Sequence, residues 1–229
     1  MSDERAITMN DTAAPGSRLI ELHDYVSPRE DYTIACAAAL FLGRGIANVK
    51  MTDIADAAGV GVATLYRHYA TKTRIAIDAG TLMWRRFNLQ IHRLVESNVF
   101  LEYDGAMRMG RLFNEYVDAY LRHQDFVTFL DEFDHLVVQE RVPRELLMEY
   151  GQEVDSFYVV FEDAYRLGRQ DGSIKRDVDF PVLYRTVAHA LMGVAEKLVR
   201  GEVIPSDDFS DGSGELSCLV EITMRTLTL

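Results

Sequence analysis

Cysteine is nearly missing from this chain: two occur in 229 residues, Cys36 and Cys218, far apart and without CxxC spacing. That pattern argues against a disulfide framework or a structural zinc site, and it suits a reducing compartment. Long apolar runs are lacking too, because charges interrupt every such stretch before it reaches a membrane-spanning length. The opening MSDERAITMNDTAAPGSR is acidic and polar, without the basic start and apolar run of a secretory signal. A cytoplasmic protein with no membrane partner is therefore expected. Positive charge is also short. The formal net charge of −12 argues against a protein coated in nucleic acid, because counterion release needs clustered Lys and Arg. Strand-like alternation is scarce throughout.

What is present is helical periodicity and an apolar fraction of 48%, ample for one or two packed cores. Residues 1–28 read as a flexible arm punctuated by Pro15-Gly16 and Ser27-Pro28, with SRLIELHDYV as a short helix inside it. A helix is expected over Glu30–Leu42, with Ile34, Ala38, Phe41 and Leu42 on one face and Gly43-Arg44-Gly45 ending it. Two short helices follow, near Thr52–Ala58 and Val62–Tyr69. Thr71 then stands as the N-cap of a long helix to about Ser97. Apolar stripes recur beyond it: Met109, Phe113, Tyr116 and Tyr120; Phe126, Phe129, Leu130, Phe133 and Val137; and, after Pro143, Leu147 through Tyr165. A further helix starts near Pro181, an acidic loop SDDFSDGSGE follows, and a last helix covers Leu216 to about Leu227. The fold class is all-α.

Charge is unevenly spread. From Arg44 to Arg74 five basic residues face two acidic ones, leaving +3 there and −15 on the remainder. Such a window localises DNA contact while the body repels the duplex, although chance clustering gives the same count. The same window holds MTDIADAAGVGVATLYRHYATK, Met51–Lys72. A helix-turn-helix needs a small residue where its helices cross and a residue tolerant of positive φ in the turn. Ala55 and Gly59 supply them four residues apart, and Ile54, Ala58, Val60 and Leu65 are placed to fix the pair against a third helix.

TDIADAAGVGVATLYRHYATK resembles the signature of TetR-type regulators, and Ala35–Lys72 matches their DNA-binding domain from end to end. The resemblance implies a three-helix DNA-binding domain over residues 29–75 and a larger helical ligand-binding and dimerisation domain over 76–229. It also implies repression relieved by a small molecule. Carried over by position, Gly61–Tyr69 is the recognition helix, held by Leu65. Val62, Ala63 and Thr64 then face base edges in the major groove. Tyr66, His68 and Lys72 approach phosphates, Thr52 caps its helix and offers its hydroxyl to another, and Arg67 reaches a base or the backbone. Packing within the domain is the other reading of Tyr66 and His68. Two positions depart from the family: Gly61 stands where serine is common, and Val62 where a basic residue is frequent. The reading face is thus small and apolar, suited to thymine methyl groups.

In the remaining two thirds, Phe113, Tyr116, Phe129, Phe133, Phe157 and Phe161 are the candidate ligand-pocket residues, with plain core packing as the alternative. Glu115, Asp118, Asp131, Glu132 and Asp134 lie among them. A pocket of rings and carboxylates favours a lipophilic, even cationic, effector, whereas a solvated face would leave them no such role. Glu132-Phe-Asp-His135 has Glu-x-x-His spacing but no second copy, so no metal or cofactor is expected. No nucleophile or catalytic residue is marked. Leu183, Val187, Leu191, Val194 and Leu198 form a stripe fit for a homodimer interface, or for burial within one subunit. The resulting expectation is a homodimeric regulator of double-stranded operator DNA released by a small lipophilic effector. Its alternatives are a regulator sensing a protein partner or no ligand, and a small helical enzyme.

Overall fold

The computed structural model describes residue 20, residues 29–201, residues 203, 204 and 206, and residues 208–229. The expected arm and its short helix lie outside the described residues except for Ile20, which is buried in the core. Among the described residues there are ten α-helices and no strand.

The first three helices are α1 (Arg29–Arg44), α2 (Met51–Ala58) and α3 (Val62–Tyr69). Helix α1 buries Ile34 through Ala38 and Phe41, and Gly45 ends it at φ +77° with its N–H on the Phe41 carbonyl at 2.8 Å. Helix α2 starts one residue before the anticipated Thr52. Lys50 is extended and its N–H donates to the Asp53 carboxylate at 2.8 Å, so Asp53 closes the helix end and Thr52 sits exposed inside the first turn. Thr52, expected as the cap, is not the residue that closes this helix end. Gly59 takes φ +65° in the turn, and Val60 N–H returns to the Ala55 carbonyl at 2.9 Å. Ala55 and Ile54 are fully buried, and Leu65 is buried from the α3 side.

Thr71 begins α4 (Lys72–Val95), its hydroxyl accepting the Arg74 N–H at 3.1 Å. Helix α4 packs against α1 near its start and α8 farther along, so one continuous rod crosses the boundary expected at residue 75. There follow α5 (Asn98–Leu101), α6 (Gly105–Arg122), α7 (Gln124–Gln139), a 3-10 turn at Arg144–Leu147, α8 (Met148–Asp171), α9 (Phe180–Arg200) and α10 (Gly212–Thr228). Helix α10 begins four residues earlier than its apolar pattern, because Asp211 accepts the Gly214 N–H at 3.0 Å and extends the helix into the anticipated loop. Helices α6 and α8 touch through glycine. A Cβ on Gly105 would lie 1.9 Å from the Gly168 backbone nitrogen, so only glycine admits this crossing. No described helix is long and apolar enough to cross a membrane.

Candidate nucleic-acid interface and effector cavity

Helix α3 buries one side chain fully, Leu65, and rests Val62 and Tyr69 partly against the core. Ala63, Tyr66, Arg67 and His68 are exposed, while Val62 and Thr64 are half-buried beside them. Tyr66, 50% exposed, is not spent on packing, and the His68 ring lies 6.4 Å from that of Tyr69. Gly61 caps the helix without a side chain, so the first amides of α3 gain no side-chain acceptor. Apart from Lys72, the eight anticipated DNA-binding residues lie along α3 and the first turn of α2.

Lys72 is differently employed. Its ammonium donates to the carbonyls of Ile46 at 2.7 Å and Val49 at 3.0 Å, and more weakly to Ala47 at 3.5 Å. An ammonium has three N–H donors, so this one ties α4 to the loop between α1 and α2. The same loop is held from the other side. The Glu132 carboxylate of α7 accepts the Ile46 N–H, and Thr73 donates to Glu140 near the end of α7. Phe129 of α7 stacks on Phe41 of α1 with ring centroids 6.3 Å apart. Glu132 of the Glu-x-x-His spacing is thus a backbone acceptor, and His135 is exposed with its ring nitrogen on the Asp131 carbonyl at 2.7 Å. Sequence reading missed this function of Glu132, since nothing local links residues 46 and 132.

A cavity of about 400 Å³ opens between α4, α6, α7, α8 and α9. Its inner wall is Trp84, Tyr116, Tyr120, Leu130, Tyr150 and Val154. Asp134, Asp155, Arg185, His189 and Glu196 complete the lining with Tyr184, Ala188 and Met192. Tyr116 and Tyr184 share a hydroxyl hydrogen bond of 2.9 Å, and Trp84 Nε1 donates to the Tyr150 hydroxyl at 3.0 Å. Burial pushes the Tyr116 and Tyr120 phenols up, helped by neighbouring Tyr184, so both are neutral. Burial likewise raises the Glu196 carboxyl, with Asp131 and Asp134 adding repulsion against Arg200 and His135. Asp134, at the exposed rim, is raised by partial burial and by Asp131, with His135 opposing.

Of the six anticipated pocket residues only Tyr116 lines this cavity. Phe113, Phe129, Phe133, Phe157 and Phe161, each at most 2% exposed, are packed ring on ring. Their periodicity reports the core, and the cavity walls come from helices distant in sequence. The anticipated dimer stripe also divides. Val187 and Leu191 are buried inside the subunit with Ala195, and Leu198 packs over Gly212 of α10. Leu183 and Val194 are half-buried. The outward groove is instead formed by Ala190 and Val194 of α9 with Cys218, Leu219 and Ile222 of α10. Part of the stripe is therefore spent inside the subunit, while Val194 faces outward.

A helix-turn-helix with an exposed second helix, joined by one long rod to a larger helical body, defines a DNA-binding transcriptional regulator. Residues 34–79 match the family described as bacterial regulatory proteins, tetR family. Over these residues the chain is similar to that family. It is 28% identical over 180 residues to the transcriptional repressor KstR2 of Rhodococcus jostii, covering 77% of each chain. With KstR2 of Mycobacterium tuberculosis it shares 26% over 165 residues, covering 71% of this chain and 77% of the relative. The solved ketosteroid regulator KstR2 of M. tuberculosis superposes with a TM-score of 0.59 at 21% identity, over 93% of this chain and all of the other. A regulator of Saccharomonospora viridis, solved with choline, gives 0.62 at 22% identity over 84% of this chain and 95% of that one.

Proposed function

We propose that this chain is a homodimeric cytoplasmic repressor that leaves a palindromic operator when a small amphipathic effector fills the cavity. The observation that carries this reading is α7, which faces both sites. Its Leu130 and Asp134 line the cavity, while Phe129, Glu132 and Glu140 grip the DNA-binding helices. An effector that prefers one placement of α7 thereby biases the α1–α2 loop and, through α4, the spacing of the two recognition helices. Only differential affinity for the two placements shifts the population. The groove of Ala190, Val194, Leu219 and Ile222 supplies the surface for a two-fold partner, and one short recognition helix alone offers little specificity.

On DNA, Val62, Ala63 and Thr64 read base edges while Tyr66, Arg67 and His68 contact phosphates or neighbouring bases. Thr52 presents its exposed hydroxyl from the first turn of α2. Lys72 acts chiefly by holding the loop that carries α2 into place. Relatives named as repressors, and a structural neighbour holding choline, support both halves of this scheme. The raised carboxyls of the cavity are what an enzyme would also need, but likeness to a regulator family favours binding over turnover. Selection from a random pool of duplex DNA across a salt series tests the proposal. Enrichment of an inverted repeat is expected, and binding without sequence preference at every salt concentration would overturn it.

A further inference from the structure

We propose that the cavity takes an amphipathic organic cation, its apolar body against Trp84, Tyr116 and Tyr150 and its positive head between Tyr120, Asp134 and Glu196. This rests on the reading of the protein as effector-responsive and adds the chemical class of the effector. Three features point the same way. The first is the distribution of charge within the lining. At the α8 side the lining holds one residue of each sign, Asp155 and Arg185. At the α7 side Asp134 and Glu196 stand together with Asp131 behind them, three acids against Arg200 and His135. Arg200 reaches Asp131 at 3.4 Å, and His135 lies 3.6 Å from the same carboxylate. One end of the cavity is therefore left with surplus negative charge.

The second feature is the state of the polar groups there. Glu196 is half-buried and makes no hydrogen bond or ion pair among the described residues. Tyr120 is 5% exposed, lines the cavity and has no hydrogen-bond partner for its hydroxyl among the described residues. Its neighbours Tyr116 and Tyr184 bond to each other instead. A phenol in the cavity wall with no hydrogen bond to the described residues and a half-buried carboxylate beside two other acids are groups that a cationic head would engage. The third feature is the rings. Tyr120 and Tyr116 lie 5.9 Å apart, beside the carboxylates, and their faces attract a cation as it sheds water. A carboxylate head at this end would meet repulsion from two acids. A neutral ligand would leave the charge unanswered.

Trp84 is the single tryptophan of the chain and stands in the cavity wall, so its fluorescence reports occupancy directly. The full-length protein is titrated with decyltrimethylammonium, decanoate and decanol below their micellar or solubility limits, following Trp84 emission and heat. The cation should bind at least about tenfold tighter than decanol, as expected for a charge-assisted contact. Glu196→Gln and Asp134→Asn should each remove most of that advantage while decanol binding stays unchanged. Two variants guard against one that misfolds, and unchanged decanol binding shows that the cavity is intact. Tighter binding of decanoate, weakened by Arg185→Gln, would overturn the cation assignment and leave an effector-responsive regulator. Equal binding of all three, or no response to any, would also overturn it. The reading as a DNA-binding regulator is judged separately by operator selection.

Discussion

Replacing Glu132 by Ala removes the acceptor that α7 presents to the α1–α2 loop. The Ile46 N–H it binds belongs to a residue 3% exposed, so water cannot readily take the place of the carboxylate. A buried donor left unsatisfied costs about 1–3 kcal/mol, with hydrogen bonds to charged groups in the upper part of that range. For a chain of this size each kcal/mol moves the melting temperature by roughly 2–4 °C, so a fall of about 4–10 °C is expected. Glu132→Gln keeps an acceptor in reach and should fall by less. Differential scanning calorimetry gives the first number, and operator affinity with and without bound effector gives the second. If α7 transmits the signal, the Ala variant should also narrow the gap between those two affinities. A melting temperature within about 1 °C of the parent in both variants, with the gap preserved, would refute the clamp.

Arg67→Ala should weaken operator binding and lower the salt dependence of log Kd by about one for each phosphate that the guanidinium neutralises, read by fluorescence anisotropy at several salt concentrations. An unchanged slope with altered sequence preference would assign Arg67 to a base edge. Gly105→Ala must force α6 away from the Gly168 backbone, since the added carbon has 1.9 Å of space. Overpacking of this kind costs about 1–3 kcal/mol or more, and urea denaturation should show it. The Glu196 carboxyl titrates above its ordinary 4.5 in the folded state, because burial and the neighbouring acids Asp131 and Asp134 outweigh Arg200 and His135. A raised acid stabilises the fold below its unfolded pKa and loses that contribution as pH rises through the folded value. Glu196→Gln should therefore raise the melting temperature at pH 7, with a gain that shrinks toward about pH 4.5.

The DNA-binding unit was legible because its rules are local. Gly59 had to accept positive φ, Ala55 had to be small and Leu65 had to point inward, and each requirement acts within a few residues. The Thr52 cap was misplaced because Asp53 competes for the same helix end, and the competition is settled by the extended geometry of Lys50. Lys72 reads as a phosphate ligand from its position, yet its ammonium points at three carbonyls that only the folded loop assembles. The aromatic stripes correctly marked what is buried, but burial has no directional label. Whether Phe157 meets another ring or an empty space depends on helix crossings that no periodicity encodes. The cavity joins Trp84, Tyr150, Tyr184 and Glu196 across more than a hundred positions, so its acidic end was glimpsed only through Asp134.

Helix α9 is shared between two surfaces. Ala188, Met192 and Glu196 line the cavity, while Ala190 and Val194, offset by about half a turn, line the groove with α10. Changes that adapt this helix to a new ligand therefore shift side chains that also shape the outer groove, and the two traits cannot drift independently. Helices α4 and α8 carry no such double duty at Trp84, Tyr150 and Val154. A sensor retuned for another small molecule should be diversified there, with α9 left as it stands.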